Sequence, residues 1–191
     1  MEDSIMSPLL WIILIIIVLI VAIYITTYNG LQRSRVYVDE AWSQIDVQLK
    51  RRNDLIPNLV ETTKGYAQHE KSTFESIVKL RDELTQVPQG NHEEAMKLSN
   101  QLTDSLKSIF ALAEAYPDLK ANQNFLKLQE ELTNTENKIA YSRQLYNSSV
   151  ATYDQKLLTF PSNLIAKIHG FTKVNYLETP AEEKNVPKVK F

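Results

Sequence analysis

The sequence contains no cysteine. Disulfides, thiolate metal sites, iron–sulfur clusters and a cysteine nucleophile are therefore excluded. Glycine (4) and proline (7) are scarce in a chain of 191 residues, which excludes a collagenous or low-complexity chain and disfavours an all-β fold rich in tight turns. Charge of one sign is not in excess either. The 21 basic and 23 acidic side chains leave a formal charge of −2, so the net basic footprint usual for nucleic-acid binding is missing. The three histidines are His69, His92 and His169. None lies in HExxH, and none follows a glutamate at the i+3 spacing by which di-iron bundles put two ligands on one helix face. There is no glycine-rich phosphate loop, no GxSxG and no serine marked as a nucleophile. The expectation is a non-enzyme with no catalytic residue, no metal site and no cofactor.

What is there begins with an apolar run. Leu9, Leu10, Trp11, Ile12, Ile13, Leu14, Ile15, Ile16, Ile17, Val18, Leu19, Ile20, Val21, Ala22, Ile23, Tyr24 and Ile25 carry no charge, and the charge-free stretch extends from Ser4 to Gln32. A helix needs about 20 apolar residues to cross a bilayer, and Leu9 to Tyr28 supplies them. Trp11, Tyr24 and Tyr28 fall near the two interfaces, where aromatic rings concentrate. A cleaved signal peptide fits less well, because Glu2 and Asp3 stand where lysines belong and no small-x-small site follows. The expectation is a retained single-pass anchor. Basic residues flank it on one side alone: Arg33 and Arg35 follow at once, then Lys50, Arg51 and Arg52. The positive-inside rule puts the N-terminus outside and residues 31–191 in the cytoplasm.

The remainder reads as helices. Val38, Ala41, Trp42, Ile45, Leu49, Ile56, Leu59 and Val60 mark one face of a first helix. Pro57 removes a donor and clashes with the preceding turn, so a kink or break is expected there, with Gly65–Tyr66 as the terminus if the helix merely kinks. Phe74, Ile77, Val78 and Leu84 give a second helix, and Ala95, Leu98, Leu102, Leu106, Ile109, Leu112 and Tyr116 a third. Phe125, Leu128, Leu132, Thr135, Ile139, Ser142, Tyr146, Val150, Tyr153, Leu157, Phe160 and Leu164 step by three or four residues, the seam of a long fourth helix. Asn122 is its expected N-cap and Pro161 a kink near its end. Gly30 is placed between anchor and domain. The fold class that follows is all-α, with an N-terminal transmembrane helix and an antiparallel bundle of the four-helix type. The domains are an anchor over 1–30, a bundle over 31–170 and an extended tail over 171–191, docked by Phe171, Tyr176 and Phe191.

Three short features allow a functional or a bland reading. Lys50–Arg51–Arg52 could bind lipid headgroups or phosphate, yet Asp46 and Asp54 stand at ion-pair spacing within the helix, and that reading is preferred. Asn147–Ser148–Ser149 matches the glycosylation pattern but falls inside the fourth helix. Val189, Lys190 and Phe191 could add as a strand to a PDZ-type groove; the alternative is a tail lying on its own bundle.

The block Asp39-Glu-Ala-Trp-Ser-Gln-Ile-Asp-Val-Gln-Leu-Lys-Arg-Arg-Asn-Asp-Leu-Ile-Pro-Asn-Leu-Val-Glu61 resembles the opening signature of the LemA family. Ala113-Glu-Ala-Tyr-Pro-Asp-Leu-Lys-Ala-Asn122, Thr135-Glu-Asn-Lys-Ile-Ala140, Phe160-Pro-Ser-Asn-Leu-Ile-Ala166 and Pro187-Lys-Val-Lys-Phe191 continue the resemblance in order. Thr63 departs from it, standing where the family tends to have a hydrophobic residue. The resemblance implies a bacterial membrane protein with a long-helix bundle on one anchor. It implies no reaction and carries over no catalytic or ligand-binding residue. Two functions follow as expectations. The first is a membrane-tethered scaffold or adaptor, with the lipid bilayer, a membrane or cytoplasmic protein and further copies of itself as partners. The second is an extracytoplasmic sensor or binding module acting through a partner.

Overall fold

The computed structural model describes residues 8–66 and 70–178. His69 and the tail residues Val189, Lys190 and Phe191 lie outside the described residues. Among the described residues every regular element is a helix: α1 (Pro8–Lys64), α2 (Lys71–Thr85), α3 (His92–Ala113), the single turn α4 (Pro117–Lys120), α5 (Gln123–Leu158) and α6 (Ser162–Ile168). The chain divides into two compact units. One joins residues up to Glu40 with Ser148–Asn175; the other joins Ala41–Asn147 with residues from Tyr176 onward.

The second unit is an up-down-up-down bundle. Trp42 meets Tyr146, Arg52 meets Glu136 and Tyr66 meets Asn122, so α1 and α5 run antiparallel there. The core is built from the periodic seams: Ile56 and Leu59 of α1, Phe74, Ile77 and Leu84 of α2, Leu98, Leu102, Leu106 and Ile109 of α3, and Phe125 and Leu132 of α5. Spacing of three and four keeps these side chains on one face. Asn122 caps α5 as expected, its Oδ1 accepting from the Asn124 and Phe125 backbone N–H groups. Asn91 caps α3 in the same manner, accepting from Glu94.

Pro57 does not end α1, which continues to Lys64 with Gly65 just beyond. Proline offers no N–H to the carbonyl four residues earlier, here that of Asn53. Arg81 of α2 supplies the missing donor, its Nε donating to the Asn53 carbonyl oxygen at 3.3 Å. Gly30 likewise lies inside α1. Pro161 behaves differently. The helix stops at Leu158, the Phe160–Pro161 bond is cis, and α6 begins at Ser162. The seam therefore loses its phase: Phe160 and Leu164, expected inward, are exposed, whereas Ile165 and Ala166 are buried. The third helix ends at Ala113 rather than at Tyr116.

Beyond Gly170 the described chain has no regular structure. Among the described tail residues Phe171 packs beside Leu31, Ile165 and Ala166 as expected, and Leu177 is buried, whereas Tyr176 is exposed. Asn147 holds both backbone polar groups of Leu177. Its Nδ2 donates to the Leu177 carbonyl and its Oδ1 accepts from the Leu177 N–H, each at 2.9 Å. The amide of the Asn147–Ser148–Ser149 match is thus engaged within the fold.

Candidate functional site

Three regions bear on function. The first is the apolar part of α1. Leu9 to Ile25 is apolar all round, and every large side chain in it is exposed. A helix of that kind belongs in a protein core or in lipid. No part of its most apolar 18-residue window is buried by the protein, and that window has a mean hydropathy of 3.2. The chain therefore has one described helix long and apolar enough to cross a membrane.

The second region lies in the same unit, where α1 leaves the apolar run. Leu31, Ile165 and Ala166 are buried together, with Tyr28, Leu157 and Phe171 against them. Lys156 reaches from α5 to donate to the Gly30 carbonyl (3.0 Å) and to Ser34 Oγ (2.6 Å), and Ser34 Oγ also donates to that carbonyl. A Cβ at Gly30 would meet Lys156 Nζ at 3.9 Å, an ordinary van der Waals contact. Tyr24 and His169 share a hydrogen bond between hydroxyl and Nε2, and Tyr28 lies against both the His169 and Phe171 rings, at 4.6 and 6.0 Å between centroids. Tyr153 is buried, and its hydroxyl donates to the Thr172 carbonyl at 3.1 Å. Burial pushes the Tyr153 phenol above its ordinary pKa of 10.0, opposed by the Arg35 guanidinium 5.9 Å from its ring centre.

The third region is polar and lies inside the bundle unit. Arg52 is fully buried. Its Nη1 donates to Glu136 Oε1 at 2.6 Å and to Thr103 Oγ1 at 2.9 Å, and its Nη2 donates to Ser99 Oγ at 2.8 Å. Thr103 closes the ring by donating to Glu136 Oε2 at 2.9 Å. Three helices are tied by one guanidinium, whose planar fork suits it to several oriented acceptors. Next to it, Arg143 donates to Asn100 Oδ1. Helix spacing alone predicts that Lys50–Arg51–Arg52 pairs with Asp46 and Asp54 within one helix. Arg51 instead lies 3.5 Å from Glu131 of α5, Arg52 is internal and Lys50 is exposed. A signal for this was present: Leu49, Arg52, Ile56 and Leu59 keep seam spacing, so Arg52 occupies a core position.

Beside this network a groove of about 550 Å³ is lined by Trp42, Asp46, Lys50, Asp54, Arg81 and His92 among others. The Trp42 and His92 rings stack at 3.7 Å and 15°, with Tyr146 edge-on to both. Its charges are of both signs, and among the described residues no group of three or more His, Asp or Glu side chains is placed to hold a metal ion. The chemistry on offer is recognition by shape and mixed polarity.

Comparison with known proteins bears on the same points. The family model for the LemA family matches residues 41–191. The chain is 28% identical to Magnetosome protein MamQ of Magnetospirillum gryphiswaldense, over 83% of this chain and 65% of that one. It is 26% identical to Protein LemA of Metamycoplasma hominis, over 76% of this chain and 66% of the relative. Magnetosome protein MamQ 2 of Paramagnetospirillum magneticum is 27% identical over 73% and 60%. The chain thus spans less than two thirds of the length of these relatives, and none of their names denotes an enzyme. With its signature blocks, all-helical fold and matched family model, this chain belongs to the LemA family.

Proposed function

We propose that this chain is a non-enzymatic, membrane-anchored scaffold or adaptor. Leu9–Ile25 is its single anchor, the N-terminus is outside, and residues 31–191 present their bundle at the cytoplasmic face. The observation that carries this reading is the exposed, all-apolar run of α1. Insertion of a Leu, Ile, Phe or Val contributes about −0.3 to −0.6 kcal/mol at the centre of a spanning helix, and no charge in the run opposes it. Arg33 and Arg35 support the orientation. The polar groups of the bundle, Arg52 and Glu136 foremost, are spent on holding helices together, which fits a structural role.

A reporter fused after Phe191 tests the side of the membrane. Activity of a cytoplasm-dependent reporter is the expected result; activity of a periplasm-dependent one would overturn the orientation and favour a sensor or binding module using the Trp42–His92 groove. Self-assembly is tested by light scattering of the full chain in mild detergent. A defined oligomer supports a self-assembling scaffold, and a monomer turns the proposal to an adaptor for a different protein.

A further inference from the structure

The α5–α6 corner leaves large apolar side chains unpartnered at one place. Phe160 is 79% exposed and Ile168 72%, with Leu158 and Leu164 also exposed. Two of them, Leu164 and Ile168, form a second face on α6. Ser162, Ile165 and Ala166 turn inward, while Leu164 and Ile168, four residues apart, occupy the side away from them. Four exposed side chains of this size within eleven residues are more than scattered surface hydrophobics.

Their position along α1 says what covers them. His169, at the end of α6, is bonded to Tyr24 and packed on Tyr28, and Ile165 and Ala166 are buried with Leu31. At about 1.5 Å per residue, Leu9 to Tyr28 takes up the roughly 30 Å of a hydrocarbon core. Residues 24–31 therefore mark the exit from lipid, and α6 lies beside them. Exposed Lys167 adjoins Ile168 in the sequence, a cation placed to reach headgroups while its neighbours sit deeper.

We propose that the α5–α6 corner is a second membrane contact: Leu158, Phe160, Leu164 and Ile168 lie in the boundary between acyl chains and headgroups of the bilayer that α1 spans. A short apolar face lying in the interface is a known way of binding a bilayer without crossing it. This rests on the anchor reading above and goes beyond it, because one span alone does not require a shelf. The corner would fix the rotation and depth of α1 that a single helix leaves free.

The absence of cysteine allows a direct test. Single-cysteine variants Leu164→Cys, Ile168→Cys, Ile17→Cys in mid-span and Lys97→Cys on the bundle surface are spin-labelled in the full chain, with folding checked by circular dichroism. Each is reconstituted in phosphatidylglycerol–phosphatidylcholine vesicles. Collision with oxygen, which concentrates in lipid, is compared with collision with a water-soluble nickel chelate. Labels at 164 and 168 are expected to favour oxygen, like the label at 17, while the label at 97 favours nickel. Labels at 164 and 168 that respond like 97 while 17 stays in lipid would overturn the shelf and leave the span intact. A label at 17 open to nickel would overturn the span and the shelf with it. Shielding of 164 and 168 from both reagents, with spin–spin broadening relieved by unlabelled protein, would show that a second copy covers the face and would also overturn the proposal.

Discussion

Each unit draws a cation away from water, fully in one and partly in the other. In the bundle, Arg52 has no exposure and is met by a carboxylate and two hydroxyls from two other helices. Beside the apolar run, Lys156 meets a backbone carbonyl and one hydroxyl, both on α1, and no carboxylate of the described residues pairs with it. A charge removed fully from water costs several kcal/mol unless it is paired and hydrogen-bonded; a half-buried ammonium keeps part of its hydration and needs less. Arg52 is thus a commitment to one arrangement of three helices, whereas Lys156 is a brace between two.

Deleting the bundle's cation is the largest expected break. Arg52→Ala leaves Glu136, Ser99 and Thr103 without their shared donor and is expected to destabilise the chain by about 3 kcal/mol. Partial exposure of Glu136 holds the figure at the low end of the range for buried pairs. Denaturant unfolding of the full chain in detergent measures it, and Arg52→Met combined with Glu136→Leu should recover most of the loss. Lys156→Met should cost about 1 kcal/mol, since the Ser34 hydroxyl still donates to the Gly30 carbonyl. A loss as large as that of Arg52→Ala would erase the distinction between the two sites.

The Asn53 carbonyl sharpens the bundle side. Arg81→Ala should cost about 1 kcal/mol with Pro57 present, and markedly less beside Pro57→Ala, where the helix supplies its own donor. Equal costs in both backgrounds would show that Arg81 does not compensate the proline. The smallest effect belongs to Tyr153. Its folded pKa is raised, so the neutral phenol favours the folded state; that contribution is complete below the ordinary tyrosine pKa of 10.0 and is lost as pH rises through the folded value. Stability measured from about pH 8 to about pH 11 should fall less steeply in Tyr153→Phe than in the parent chain.

The apolar seams were legible because three-and-four spacing is a direct image of one helix face. From Val38 to Leu59 and from Phe125 to Tyr153, nearly every residue read as inward is buried. Legibility failed where a distant residue decides the outcome. Pro57 reads as a kink or a break, and nothing near it in sequence reveals the Arg81 donor that lets α1 run on. Pro161, the same residue type, does end its helix, and the seam beyond it changes phase. Arg52 was hidden by its neighbours: three consecutive basic residues look like a solvated run until the middle of the Leu49–Ile56 interval is recognised as a core position. Thr63, the departure from the family pattern, is buried with its hydroxyl donating to the Leu59 carbonyl, which lets a polar side chain occupy an apolar site. Leu177 could not be found at all from periodicity, since a single residue gripped by Asn147 leaves no repeating trace.

The apolar part of α1 is proposed to be held in lipid. Extraction of isolated membranes with alkaline carbonate tests it most directly, comparing the full chain with one that begins at Gln32. The full chain is expected to stay in the membrane pellet and the shortened chain to be released. Release of the full chain into the supernatant would contradict it.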